Sequence, residues 1–178
     1  METSYIVTFI GNDRPGLVEQ LSSVIEAAGG NWHESRLSQL GGKFAGLVLV
    51  TLAQGRDSSL EEELKALSAS GLSVRVTPTE ASVALASTRR IKLSVVGPDR
   101  PGIVLEIARA LASRQFNVLE MDSEVHSAPM SGEPLFNAMI EADIAPDSTV
   151  EELSDALDDI GNEMALEIDL EEIRAHSH

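Results

Sequence analysis

Apolar positions follow two alternating periods along the chain. YIVTFI at 5–10 is a β-branched and aromatic run closed by Gly11, the signature of a strand. Apolar residues then fall at helical spacing: Leu17, Val18, Leu21, Val24, Ile25 and Ala28, one face of a helix opened by Pro15 and stopped by Gly29-Gly30. NWHESRLSQL (31–40) and FAGLVLVTL (44–52) read as strands joined by a Gly41-Gly42 hairpin. Asp57-Ser58-Ser59 offers a cap to a helix in which Leu60, Leu64 and Leu67 share a face, ended by Gly71. LSVRVTPT (72–79) alternates as a last strand.

The same order then recurs. IKLSVV (91–96) is a strand, and Pro101 opens a helix with Ile103, Val104, Ile107 and Leu111 on one side. Strands follow at 117–126 and 135–144, joined by the longer turn SAPMSGEP (127–134). Ser148 or Thr149 is placed to cap a helix carrying Val150, Leu153, Leu157 and Ile160, and 164–173 is the final strand. Aligning 5–40 on 91–126 matches Gly11/Gly97, Asp13/Asp99, Arg14/Arg100, Pro15/Pro101, Gly16/Gly102, Val18/Val104, Asn31/Asn117 and Glu34/Glu120. The repeat predicts an α+β chain of two ferredoxin-like βαββαβ units, each a four-stranded antiparallel sheet with two helices on one face. The units are expected at 1–84 and 91–178, with a small, polar linker at 85–90. Units this small are marginal alone, so pairing with each other or across a homodimer is expected to help.

Composition narrows the function. The hydrophobic fraction of 43% supports packed cores, but aromatics are only 3%, so aliphatic residues must build them. There is no cysteine, which excludes disulfides, thiolate metal sites and cysteine nucleophiles and fits a reducing, cytoplasmic setting. METSYIVTF has no basic segment followed by a long apolar run, so no signal peptide is expected, and no stretch has the length of a membrane span. The net charge is −16, split as −4 over residues 1–88 and −12 over 89–178. No Lys or Arg occurs between Arg114 and Arg174. Such a surface repels phosphate backbones, which disfavours direct nucleic-acid binding. It suits solubility or a basic protein partner.

The repeated Asp-Arg-Pro-Gly loop is the main candidate for chemistry. Gly16 and Gly102, expected in the first helical turn, would let a ligand approach amides that have no partner inside the helix. Asp13 and Asp99 can accept from an ammonium group or satisfy loop amides, and Asn12 offers a side-chain donor. Arg14 and Arg100 can pair with a carboxylate. Asn31 and Asn117 supply both donor and acceptor. Leu17 and Ile103, next after the glycines, complete the candidate sets. Pro98 stands where the first copy has Asn12 and removes a side-chain donor. The competing reading is a loop that only turns the chain.

Strand, Gly-x-Asp-Arg-Pro-Gly, amphipathic helix and an Asn at the head of the second strand, in order and twice, resemble the ACT domains, small regulatory modules that commonly bind amino acids. Two in tandem, with NWHESRLSQLGGKFAGLVLV closing the first, are similar to the glycine cleavage system transcriptional repressor family. That resemblance implies a non-enzymatic regulator that binds a small amino acid, needs no cofactor, and represses by contacting a DNA-binding activator without touching DNA itself. A structural or interaction module with no ligand, and a regulatory fragment associated with an amino-acid metabolic enzyme, stay open beside it.

Other motifs carry less. His33 corresponds to Leu119 in the repeat, His126 sits near a hairpin, and His176 and His178 lie at the C-terminus; none has a second ligand at metal-site spacing. GGKF (41–44) lacks the spacing of a phosphate loop and reads as a turn. DALDDIGNE (155–163) does not match a calcium loop and reads as an exposed helix face. Glu120, Asp122 and Glu124 alternate along one strand and should share a face, solvated or available to a basic partner. Trp32, the single tryptophan, is expected to pack and to report on its neighbour Asn31.

Overall fold

The computed structural model describes residues 2–53, 57–79 and 89–174. The chain divides into two compact units, residues 1–83 and 84–178. The first contains β1 (Glu2–Asn12), α1 (Leu17–Ala27), β2 (Asn31–Leu40), β3 (Lys43–Ala53), α2 (Asp57–Ala66) and β4 (Leu72–Thr79). A short 3-10 turn, Leu67–Ser70, links α2 to β4. The second contains β5 (Arg89–Pro98), α3 (Ile103–Ala112), β6 (Phe116–Ser127), β7 (Pro134–Ile144), α4 (Val150–Met164) and β8 (Glu167–Arg174). Each sheet is antiparallel, in the orders β2-β3-β1-β4 and β6-β7-β5-β8. This is the α+β βαββαβ topology that the repeat predicts.

Strand alternation decides which residues meet the helices. Tyr5, Val7 and Phe9 of β1 and Val48, Val50 and Leu52 of β3 are buried with Leu17, Leu21, Ile25, Leu60 and Leu64. In the second unit Ile91, Leu93 and Val95 pack with Phe136, Ile140, Ile107, Leu111, Leu153 and Leu157. No polar or charged residue is buried among the described residues. Both cores therefore rest on apolar burial, mostly aliphatic with Tyr5, Phe9, Phe116 and Phe136 among it, at about 1.5–3 kcal/mol per fully buried large side chain.

Several expectations need correction. Val18 and Val104 point away from the cores and are 42% and 46% exposed. The strict spacing Leu17, Leu21, Ile25, Ala28 already fills the stripe over the sheet, and the next position along the helix is turned off it by about 100°. Pro15 and Pro101 precede their helices instead of opening the first turn, because the helices start at Leu17 and Ile103. Ser148 does not cap α4: its Oγ donates to the Arg114 carbonyl at 2.8 Å. Thr149 is the N-cap residue but makes no side-chain cap bond. Met164 ends α4 instead of starting β8, with Ala165 in the left-handed region at φ 57°. Arg89 and Arg90, expected in the linker, belong to β5; Arg89 Nε donates to Glu172 at 2.8 Å and Arg90 Nε to Asp143 at 3.2 Å. The rest of that linker, and His176 and His178, lie outside the described residues.

Candidate functional site

The loop between β1 and α1 is fixed from both sides. Arg14-Pro15-Gly16-Leu17 places Pro before a glycine with φ 88° and ψ 2°, the third-residue conformation of a type II turn, which needs a positive φ. Gly102 repeats it with φ 98° and ψ −11°. Both glycines are therefore the N-cap residues of their helices, not members of the first turn. Their carbonyls accept the first helical bonds, from Gln20 at 2.9 Å and Glu106 at 3.0 Å. No side chain caps either helix, so the first-turn amides keep their donor capacity toward the loop.

In the first unit the Asp13 amide donates to the Gly42 carbonyl at 2.9 Å, tying the loop to the β2–β3 hairpin. Lys43 Nζ donates to Asn12 Oδ1, so Asn12 fastens the same junction. Arg14 Nη2 donates to Gln20 Oε1 at 2.8 Å, which lays the guanidinium along the start of α1. Between them is an open cleft of about 430 Å³ lined by Asp13, Arg14, Gly16, Leu17, Val18, Glu19 and Phe44. Nothing lies within 4 Å of the position a Gly16 side chain would take. The cleft offers an arginine and free amides to a carboxylate, Asp13 and Glu19 to an ammonium group, and Val18 and Phe44 to a small apolar group.

The second loop is built alike but lined differently. The Asp99 amide donates to the Pro134 carbonyl at 2.9 Å. Pro98 replaces Asn12, and Leu105 replaces Glu19. Met164 Cε stands 3.9 Å from where a Gly102 Cβ would be. Glu106, in the place of Gln20, pairs with Arg109 at 3.1 Å instead of holding Arg100. Asp99, Arg100 and Gly102 thus keep the turn, while the counterparts of Asn12 and Glu19 are apolar and Glu106 is taken up by Arg109.

The asparagines stand apart from these loops. Asn31 pairs with Thr51, which pairs with Ser4; the loop begins at Asn12, eight residues further along β1. That is roughly 25 Å at about 3.3 Å per residue. Asn117 is level with Arg90, again eight residues from Pro98. Within one unit, a ligand of amino-acid size at the loop does not reach the asparagine. Asn31 Nδ2 instead lies 3.4 Å from His33 Nε2, which lies 2.8 Å from Thr51 Oγ1. Val18, Glu19 and Phe44 are the cleft residues the sequence reading missed. Phe44 follows the hairpin directly, and the β1–β3 register together with the Asp13–Gly42 bond brings the hairpin against the loop.

The open faces of the two sheets differ in charge. Register places Ile6, Thr8, Ile10, Leu47 and Leu49 with Arg36 and Arg75 on the first. On the second, Glu120, Asp122 and Glu124 do share a face, together with Glu141, Asp143, Glu167, Asp169 and Glu171, against Arg90 and Lys92. The Arg89 guanidinium holds the Glu172 carboxyl below its usual range, chiefly by hydrogen bonding. No group of metal ligands occurs among the described residues. Nor is any helix among them long and apolar enough to cross a membrane.

This chain belongs to the ACT domain family, which it matches twice, at residues 3–77 and 91–158. It is therefore a tandem pair of regulatory modules. It is 30% identical over 82 residues to a UPF0237 protein of Methanococcus maripaludis, covering 46% of this chain and 84% of that protein. A crystal structure of an unknown protein from Galdieria sulphuraria is similar over 97% of this chain and 99% of that one, with 32% identity and a TM-score of 0.81. A candidate glycine cleavage system transcriptional repressor has the same tandem fold, with 19% identity, a TM-score of 0.73, and coverage of 98% and 99%.

Proposed function

We propose that this protein is a non-enzymatic, cytoplasmic regulator that binds a small amino acid at the β1–α1 loop of its first unit and passes that state to a protein partner. The observation that carries the reading is the cleft at Gly16, where Arg14, Asp13 and Glu19 surround an uncapped helix start beside Val18 and Phe44. The second loop lacks two of the polar groups, so the first is the primary site. Asn12 serves it indirectly, through Lys43 and the hairpin. Ligand binding acts by population shift, favouring whichever arrangement holds the loop and hairpin together.

The tandem fold shared with the candidate glycine cleavage system transcriptional repressor supports a role in repression, and the net charge of −16 supports one exercised through a protein, such as a DNA-binding activator, and not by contacting DNA. The strongly acidic second unit is consistent with that role. The test is a thermal-shift screen against all amino acids. A ligand present at about 100 times its dissociation constant adds about 2.7 kcal/mol of stability. A panel in which no amino acid raises the melting temperature refutes the ligand-binding reading.

A further inference from the structure

β6 is the edge strand of its sheet, and among the described residues no strand pairs with its outer side. Its helix-facing and open sides have opposite characters. Met121 and Val125 face the α3 side and are 36% and 53% exposed, as is Val118 at 43%. Beneath them is a small apolar cavity of about 30 Å³, bounded by Val104, Ile107, Val118, Met121 and Phe136. The first unit has no such exposed strip, because β2 carries Ser35 and Gln39 at the positions matching Met121 and Val125, and its Trp32 and Leu37 pack onto the core. On the other side of β6, Glu120 lies directly opposite Glu141, whose carboxylate has the Arg90 guanidinium at 4.0 Å; like charges directly opposite each other destabilise a sheet. Neither Glu120 nor Asp122 has a cation within ion-pair distance among the described residues. The irregularity between Val118 and Glu120 leaves 120–127 as the regular run of edge backbone.

We propose that β6 receives an extended segment of a protein partner in which basic and apolar residues alternate. The segment adds as a fifth strand. Its backbone takes up the free edge groups of residues 120–127. Its Lys or Arg residues face Glu120, Asp122 and Glu124, and its apolar residues cover Met121, Val125 and the cavity against α3. The strand period of two allows one segment to satisfy both sides at once. Electrostatic attraction alone would accept any basic chain; the apolar strip demands alternation. This inference supplies the partner half of the proposed function and does not depend on the amino-acid site.

The test uses the full-length protein without amino acid and two capped heptapeptides of identical composition. One is the alternating Lys-Val-Lys-Val-Lys-Val-Lys; the other holds its four lysines and three valines in separate blocks. Binding is read by calorimetry and by amide chemical shifts. The alternating peptide is expected to bind at least tenfold more tightly, with shifts concentrated at 118–127. Glu120→Lys combined with Asp122→Lys, and separately Met121→Lys, each lower that affinity at least tenfold; these side chains are exposed, so the fold is retained. Gly16→Ala leaves peptide affinity unchanged, which separates failure here from failure of the ligand site. Equal affinity for both peptides, shifts confined elsewhere, or no binding at millimolar peptide overturns the proposal. So does self-association through β6 that excludes the peptide and persists in Met121→Lys.

Discussion

Replacing Gly16 with alanine isolates what the loop geometry contributes. The residue sits at φ 88° with nothing within 4 Å of a would-be Cβ. The cost is thus conformational, not steric. Holding a non-glycine residue in the left-handed region costs about 1–2 kcal/mol. Alanine recovers about 0.4–1 kcal/mol by restricting the unfolded chain, leaving a net loss of about 1 kcal/mol. For a unit of this size that lowers the melting temperature by about 4–8 °C. Asparagine tolerates this region better, so Gly16→Asn should lose less than Gly16→Ala. Trp32, the single tryptophan, packs against the first core, so its fluorescence during urea denaturation follows that unit. A midpoint for Gly16→Ala equal to that of the unsubstituted protein, or Gly16→Asn less stable than Gly16→Ala, would refute the argument that the repeated Pro-Gly is kept for a type II turn.

Other outcomes follow from the same coordinates. Gly46→Ala should cost more than Gly16→Ala, about 2–3 kcal/mol, because its Cβ would stand 2.5 Å from the Arg36 carbonyl of β2; denaturation curves measure the difference. Arg89 depresses the Glu172 carboxyl, so the stability from this pair is present above the ordinary carboxylate range and is lost as pH falls through the depressed value. Melting temperatures of Glu172→Gln and the unsubstituted protein should therefore differ at neutral pH and converge in acid. Asn31→Leu should leave the amino-acid affinity of the first loop unchanged in a thermal-shift titration, since Asn31 lies at the far end of its sheet from that loop. Duplex DNA should not be retarded by the protein at physiological salt, given a net charge of −16; micromolar binding that weakens steeply with salt would contradict this.

The element order was legible because each strand and helix carries its own period, and the repeat states it twice. β4 was read to the residue at 72–79. Errors gathered at junctions. Val18 looked like core because an apolar residue beside Leu17 fits a loose helical stripe, whereas burial follows the stricter set at Leu17, Leu21 and Ile25. The candidate site was half legible. Asp-Arg-Pro-Gly announces a turn and a helix start from local chemistry. Which residues surround that turn depends on strand register. Phe44 and Lys43 arrive at the loop because β3 begins beside the end of β1. Asn31 is carried away because α1 returns the chain to the opposite end before β2 starts. Proximity in the pattern did not imply proximity in space.

The most direct measurement of the central claim is a nitrogen-15 amide titration of the full-length protein with the amino acid that stabilises it most. Saturable shifts at Asp13 to Gln20 and at Lys43 and Phe44, with smaller shifts at Asp99 to Glu106, are the predicted result. Shifts that leave Asp13 to Gln20 unmoved, whether they fall on the second loop alone or elsewhere, would contradict the assignment of the first loop as the site.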